Sequence, residues 1–553
     1  MTAPGDTSPP SSRTTQGRRS RGAVWATIGV FFVVAAVYLL TSPGRIDMID
    51  GQFRYEVAAN LLSHGEPTVR DPALQPFGVP GPNGKIYARY GAGGSVIALP
   101  LLWIADRGAD PDGEVHRFLF TLATPLVAAA ACAVLFSFLL RLAVPAGRAL
   151  SCTAIVAFSS LLWPSAVSTF PNAQYAFFFL AALLLGHESA RRGSLGLAAA
   201  GGAVLGLLVT YDEYLLCLVP GAASCTIAPA VWDRLRGDAS WLERARSLLG
   251  AARRDGSLAR FVTFAFATLL GVALFFLFNR WRFGSILHSG KVDALPEEHA
   301  IFGNPLGGFL GLLVSPGKGV IWYSPPILLG ALGLRDLLRR HRSLGLALLL
   351  SSVTLLFVLS PVAFWAGDWC WGPRYLTVVV PAFGLAMPAV VERARKLTAT
   401  VAVAGLVVQL LAVSVDHQRF FFERALPDHF WAKSSWVYFE RSQLLARPAE
   451  VLAVLRGPPK EAVFFNNAPD PQSLTYCTFG PRPELRPHAA LWMQHFQLYF
   501  LPRPWPLWMS SGVPQRQPPI DVGLAVLACV VLAGLGAVLV RGGLRANATA
   551  PPE

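Results

Sequence analysis

The chain has 553 residues, of which 53% are hydrophobic and 14% charged, with a mean hydropathy of +0.46. Soluble domains carry about 25% charged residues, so a string of water-soluble domains is excluded and an all-α polytopic membrane protein is implied. The net charge of +14, which on a soluble chain would point to nucleic acid, here asks first for a topological explanation.

Residues 1–22 are polar, rich in Ser, Thr, Pro and Arg, and read as a disordered basic tail. The apolar run 23–41 follows Arg13, Arg18, Arg19 and Arg21. It exceeds the apolar core of about 7–15 residues found in a signal peptide, so it reads as an uncleaved anchor. A bilayer crossing needs about 20 apolar residues. Candidate spans follow at 117–140, 150–168, 174–190, 195–211, 214–231, 260–279, 320–337, 343–362, 375–391, 398–415 and 520–540, for about 12 transmembrane helices in all. The run 92–105 is short, begins with two glycines within its first three residues and carries Pro100; it reads as an interfacial helix. Of the seven cysteines, five lie in apolar runs; Cys370 and Cys477 are available for a disulfide if both face an oxidising side.

Charge orients the chain. With 92–105 not crossing, one set of loops (the tail, 141–149, 187–194, 232–260, 335–342, 392–397 and 541–553) holds 24 Lys and Arg against 9 Asp and Glu, a net of +15. The opposite side holds 23 against 24, a net of −1. The basic side is the cytoplasmic one, which puts both termini inside and makes this a multi-pass protein of the plasma or inner membrane. The outer side then carries three long segments, 42–116, 280–319 and 416–519. The third, with Trp431, Trp436, Trp492, Trp505 and Trp508, is long enough for a small appended module that leans on the interface or has an aromatic core of its own. A transmembrane body at 23–415, a last helix at 520–540 and a cytoplasmic tail at 541–553 complete the organisation.

Span interiors are almost free of charge, and charge gathers in outer loops beside the membrane. That pattern suits a site at the outer interface. The first outer loop opens RIDMIDGQFRYEVAANLLSHGEP, with a helix expected over 52–63 and Phe53, Val57, Asn60 and Leu61 on one stripe. Asp50 stands at its start, where a carboxylate caps a helix or, at the membrane surface, serves as a general base. Asp47 is a helper or a metal ligand, although two carboxylates without a His cluster argue weakly for metal. In GKIYARYGAGGSVIALP, Lys85 and Arg89 flank tyrosines at headgroup depth, suited to a lipid phosphate or to plain snorkelling. Lys318, in VSPGKGVIWYSPP, sits between two glycines that let backbone approach an anion, but without GxxxxGK[ST] spacing. NRWRFGS contributes Arg280. FWAGDWCWGPRYL packs Trp365, Asp368, Trp369, Trp371 and Arg374 into one short loop; Trp faces stack on sugar rings and Arg pairs with phosphate, while an aromatic belt uses the same residues.

These five motifs, in this order over residues 23–395, resemble the GT-C membrane glycosyltransferases, relatives of the protein O-mannosyltransferases and aminoarabinose transferases. The resemblance implies a sugar taken from a polyprenyl-phosphate donor and passed to an envelope acceptor (glycolipid, polysaccharide or protein) outside the membrane, usually with inversion and without a cofactor. It implies that Asp50 is the catalytic carboxylate. Many relatives have an Asp-Glu pair there; Gly51 follows Asp50 here, so Glu56 or Asp47 is left to assist. Lys85, Arg89, Lys318, Arg374 and, more weakly, Arg280 take the donor phosphate by the same resemblance, leaving Trp365, Asp368, Trp369, Trp371 and Glu56 for sugar or acceptor. Membrane lipids are the expected surroundings, and nucleic acid is not an expected partner. The competing reading is a transporter or flippase of lipid-linked envelope precursors, which calls for charges inside spans, broken helices and inverted repeats; the first and third are not evident, while Gly- and Pro-broken segments stand near 304–326. A non-catalytic envelope scaffold, for which Asp50 would be dispensable, is the third.

Overall fold

The computed structural model describes residues 12–42, 46, 48–71, 74–107, 114–232, 240–291, 301–367, 370–415, 420, 442–455 and 522–548. Asp47, Asp368, Trp369, Cys477 and nearly all of 416–519 apart from the helix Gln443–Leu455 lie outside these residues. Among the described residues, six helices are long and apolar enough to cross a membrane: Arg21–Thr41, Val115–Arg141, Ser257–Phe283, Arg342–Leu359, Arg395–Ser414 and Leu524–Ala546. Their outward faces carry large apolar side chains, with Phe357 80% and Val538 68% exposed. Such faces belong against lipid, and the chain is a multi-pass membrane protein.

Of the other six expected spans, five are helical but shorter or broken, and one, Asn172–Arg192, is a whole helix of 21 residues. Residues 150–168 divide into Ala146–Ser159 and Leu162–Ala166; 214–231 into Glu213–Leu218, Val219–Ser224 and Pro229–Trp232; 320–337 into Val320–Tyr323 and Ile327–Arg340; 375–391 into Arg374–Val378, Val380–Leu385 and Pro388–Arg393. Most breaks fall at Pro164, Pro220, Pro229, Pro325, Pro326, Pro381 and Pro388. Proline lacks the N–H of the helical ladder and is best accommodated in a first turn, so hydropathy alone overstates the length of these helices. Asn172–Arg192 and Leu195–Val209 stay whole.

The first helix starts at Ser12, so the tail expected to be disordered to residue 22 is helical over its second half. Extending a helix backwards from an apolar segment avoids the cost of nucleation, and between Ser12 and Gly22 only Gly17 opposes it. This helix packs antiparallel against the last one, Val522–Ala548: Gly29 meets Gly536, while Gly22, at the start of the apolar stretch, meets Gly543, near the other's end. A Cβ on Gly29 would stand 2.5 Å from the Gly536 carbonyl oxygen, so only glycine permits this backbone approach.

The first outer loop folds over the bundle end. Its helix spans Ile49–His64, starting three residues before the expected position and ending at Gly65 in the left-handed region (φ 70°). One face buries Phe53 and Val57 with Val69, Leu74 and Ala88; the other buries Tyr55 and Ala58 against Ala98, Leu102, Phe120 and Ala123. Asn60 donates to the Thr68 carbonyl at 2.8 Å, closing the turn after the helix. A two-residue antiparallel hairpin pairs Val79–Pro80 with Ile86–Tyr87, a small exception to the all-α expectation. The interfacial run 92–105 becomes two short helices, Gly93–Val96 and Leu99–Ala105.

Candidate active site at the outer loops

Because the Ile49–His64 helix begins early, Asp50 lies within its first turn rather than before it, and Met48 stands at the cap position. A carboxylate there is favoured by the helix dipole, and its oxygens remain available to other loops. Tyr90, which follows the 79–87 hairpin, donates its hydroxyl hydrogen to Asp50 Oδ1. Arg374 Nη1 lies 3.6 Å from Asp50 Oδ2.

Tyr90 is itself held. Arg89 Nε donates to its hydroxyl at 3.2 Å, and the Arg54 guanidinium lies 4.5 Å from its ring centroid. Arg54 sits one helical turn after Asp50, is 4% exposed, and has its Nη1 buried without a hydrogen-bond partner. Burial pushes the Asp50 carboxyl up, but the charges of Arg374, Arg54 and Arg89 and the Tyr90 hydrogen bond outweigh it and hold the group below the ordinary aspartate range. Burial, and then the Asp50 charge, raise the Tyr90 hydroxyl, so it stays a proton donor.

Arg374 lies 3.8 Å above the Phe170 ring and borders a cleft between the 164–172 and 370–374 segments. Ser165, Ser168, Asn172, Cys370 and Trp371 also line it. Trp371 is 5% exposed, packs edge-on against Tyr323 at 5.1 Å, and has a buried Nε1–H with no hydrogen-bond partner. Lys318, 3% exposed, donates to the Cys370 carbonyl at 2.5 Å and so braces the same loop. Cys370 is a buried thiol that donates to the Gly367 carbonyl at 3.2 Å.

Asp50, Arg89 and Arg374 are thus brought together. Lys85 ion-pairs with Glu66 at 2.6 Å and is exposed. Arg280 donates to the Gly284 carbonyl at the end of its own helix. Trp365 is buried over Gly311. Glu56 projects from another face of the Asp50 helix, where burial, then the Asp71 charge, raise its carboxyl against the pull of Arg117.

Sequence reading passed over Arg54, Tyr90 and the 164–172 segment. The i,i+4 spacing to Asp50 was available as a signal for Arg54; Tyr90 lay inside a quoted motif; the third carries no charge and merged with a span. A second polar knot adjoins the site. Lys291 pairs with Asp212 and, at 2.9 Å, with Glu213, and Tyr175 donates to Asp212 at 3.3 Å. The same turn receives the Gly91 and Gly93 amides on the Tyr211 and Thr210 carbonyls, fixing the Tyr90 loop. Among the described residues, no group of three or more His, Cys, Asp or Glu is placed to hold a metal ion.

No protein-family model matches the chain, and no curated protein matches it in sequence. Among solved structures it is similar to ArnT from Cupriavidus metallidurans, solved bound to undecaprenyl phosphate, at 14% identity and a TM-score of 0.46 over 94% of this chain and 77% of that one. It is also similar to the oligosaccharyltransferase AglB from Archaeoglobus fulgidus, solved with an inhibitory peptide and a dolichol-phosphate, at 12% identity and a TM-score of 0.39 over 92% of this chain and 64% of that one.

Proposed function

We propose that the protein is a membrane glycosyltransferase that moves a sugar from a polyprenyl-phosphate donor to an acceptor outside the membrane, with inversion and with Asp50 as general base. The observation that carries this reading is one ionised, oriented carboxylate within reach of Arg374, which also borders the cleft. The chemistry needs those two parts side by side. As the acceptor oxygen or nitrogen attacks the anomeric carbon, its proton passes to Asp50. The bond from that carbon to the phosphate oxygen breaks, and the phosphate leaves with the electron pair. Arg374, with Arg54 and Arg89 close by, balances the charge on the leaving group.

Holding Asp50 ionised makes it a ready proton acceptor at neutral pH, although a weak one. Proton transfer therefore follows the build-up of charge on the acceptor. Among the described residues no second carboxylate pairs with Asp50, which supports single displacement. Trp371 and Asn172 face the cleft as candidate sugar contacts. Lys318 supports the cleft wall, and Lys85, tied to Glu66, stays outside the reacting group.

The test is transfer from synthetic polyprenyl-phosphate sugars by purified protein, with Asp50→Asn alongside. Loss of about 100-fold or more in turnover, with donor binding retained, is the expected result. Undiminished transfer by the variant would remove Asp50 from the mechanism. A wild-type protein that moves lipid phosphate across vesicles but transfers no sugar would instead favour the flippase reading.

A further inference from the structure

Arg374 belongs to two surroundings at once. One edge of its guanidinium faces Asp50, and the same side chain borders the cleft. At 3.6 Å, its approach to Asp50 is a contact between charges rather than a hydrogen bond. A guanidinium carries five N–H donors in a planar fork, enough for two anions on different edges. The plane is set by stacking on Phe170, and Gly367 (φ 73°) leaves room behind it: a Cβ there would stand 2.9 Å from Arg374 Cγ. Asp50 keeps its Tyr90 hydrogen bond whatever Arg374 does, and Arg54 remains beside both. Trp371, which also lines the cleft, has a buried Nε1–H without an acceptor.

We infer that Arg374 is a cation shared between Asp50 and a phosphate-class anion entering the cleft, so that the second anion weakens its hold on the first. This rests on the glycosyltransferase reading and adds an order of events to it. Donor binding draws Arg374 toward the phosphate, and the carboxylate regains basicity only with a donor in place. Water that enters without a donor meets a base whose charge is already neutralised.

The two anions then compete, which gives an unusual expectation: deleting the catalytic carboxylate tightens donor binding. The measurement is the affinity of full-length protein in nanodiscs for a polyprenyl monophosphate and, separately, for inorganic pyrophosphate. Asp50→Asn should bind the lipid phosphate about fivefold more tightly than wild type, and Arg374→Gln at least about tenfold more weakly. In the Arg374→Gln background, Asp50→Asn should change nothing. Arg374→Lys, which keeps the charge, guards against misfolding and should lie between. Equal or weaker binding by Asp50→Asn overturns the shared cation while leaving the glycosyltransferase reading standing. The expected ratios without sugar transfer leave the shared cation and remove the transferase. No binding of either anion by wild type removes both.

The helix Trp241–Arg254 offers a separate inference, independent of the catalytic reading. It opens with a capping box between Ser240 and Glu243. At 100° per residue, Leu242, Ala245, Leu248, Leu249 and Ala252 share one arc. Leu242, Ala245 and Leu249 are exposed, and so are Arg246 and Arg253 along one edge of that arc. Only Asp255 and Gly256 separate it from Ser257–Phe283, which is long and apolar enough to cross the membrane. Chain connectivity therefore holds it at the membrane surface. We infer that it lies in the plane of the interface, leucines in the acyl boundary and arginines on anionic headgroups.

Hydrogen–deuterium exchange of the full-length protein tests this. Exchange over 241–254 should slow several-fold when phosphatidylglycerol is added to phosphatidylcholine nanodiscs, and Arg246→Gln with Arg253→Gln should abolish the difference. Leu242→Ser with Leu249→Ser should speed exchange in both lipids. Protection insensitive to lipid charge and to these variants would mean that protein covers the face, and would overturn the proposal.

Discussion

Two carboxylates in this molecule each stand among three arginines. Asp50 has Arg374, Arg54 and Arg89 around it. Glu188, at the other end of the Asn172–Arg192 helix from the cleft, has Arg141 at 3.8 Å, Arg191 at 2.9 Å and Arg192 at 2.7 Å. By composition they are the same cluster. They differ in what surrounds the cations. The Glu188 arginines are about half exposed, although Glu188 is itself buried; the two from its own helix close tightly on the carboxylate, and Arg141 stays farther off. At Asp50, Arg54 is buried and Arg374 only 14% exposed, arginines lie over Phe170 and Tyr90, and the contact to the carboxylate is loose. A solvated cluster relaxes when altered; a buried one with aromatic walls keeps its geometry and its charge. Counting charges does not separate the two, whereas burial and stacking do.

Substitutions can break this contrast. The largest effect is expected at Asp50→Asn, with sugar transfer down about 100-fold or more, whereas Glu188→Gln should leave transfer within about twofold and lower stability by only about 1 kcal/mol, because its arginines rehydrate. Arg374→Gln should cost about 100-fold in turnover, as removal of one charge-stabilising donor does elsewhere; Arg191→Gln is its control and should be silent. Tyr90→Phe should reduce turnover about tenfold and move the acid limb of the pH–rate profile upward. The sign follows from the hydrogen bond: it helps hold Asp50 below its usual range, so its loss raises the pKa, and the base becomes protonated at higher pH. Trp371→Phe, which keeps the ring and deletes one N–H, should raise the donor KM about threefold with turnover unchanged.

Stability against pH sharpens the same point at smaller scale. Asp50 titrates lower in the folded protein than its ordinary value of 3.8. Its contribution is therefore complete above that value and is lost as pH falls through the lower folded one. Thermal melts from pH 6 to pH 2 should show Asp50→Asn losing less stability on acidification than wild type.

Legibility in the sequence followed the range of the interaction. Crossing helices were readable where apolar residues run without proline, as at 23–41, 260–279 and 398–415, and were overread where Pro381 or Pro325 intervenes; Val115–Arg141 crosses in spite of Pro125. Asp50 was readable because a carboxylate beside a first span needs a reason. Arg374 and Arg89 were readable as cations in aromatic loops. Lys85 looked equivalent to them, yet the 79–87 hairpin and the end of the Asp50 helix bring it to Glu66, 19 residues away, and no local pattern signals that pairing. Phe170, Ser168 and Asn172 form half of the cleft without a charge among them, and only folding brings 164–172 to 370–374.

The antiparallel clasp of the first and last helices constrains arithmetic as well as packing. It sets the beginning of one beside the end of the other, so if both cross the bilayer, the two ends of this chain emerge on one face. The number of crossings is then even, whichever of the shorter helices traverse and whichever stop halfway. A crossing by 92–105 added to twelve others would make thirteen, and a path with an odd number of passes cannot return to the face it left. Parity, imposed by a few glycines far from any loop charge, thus limits which of the shorter helices can cross together.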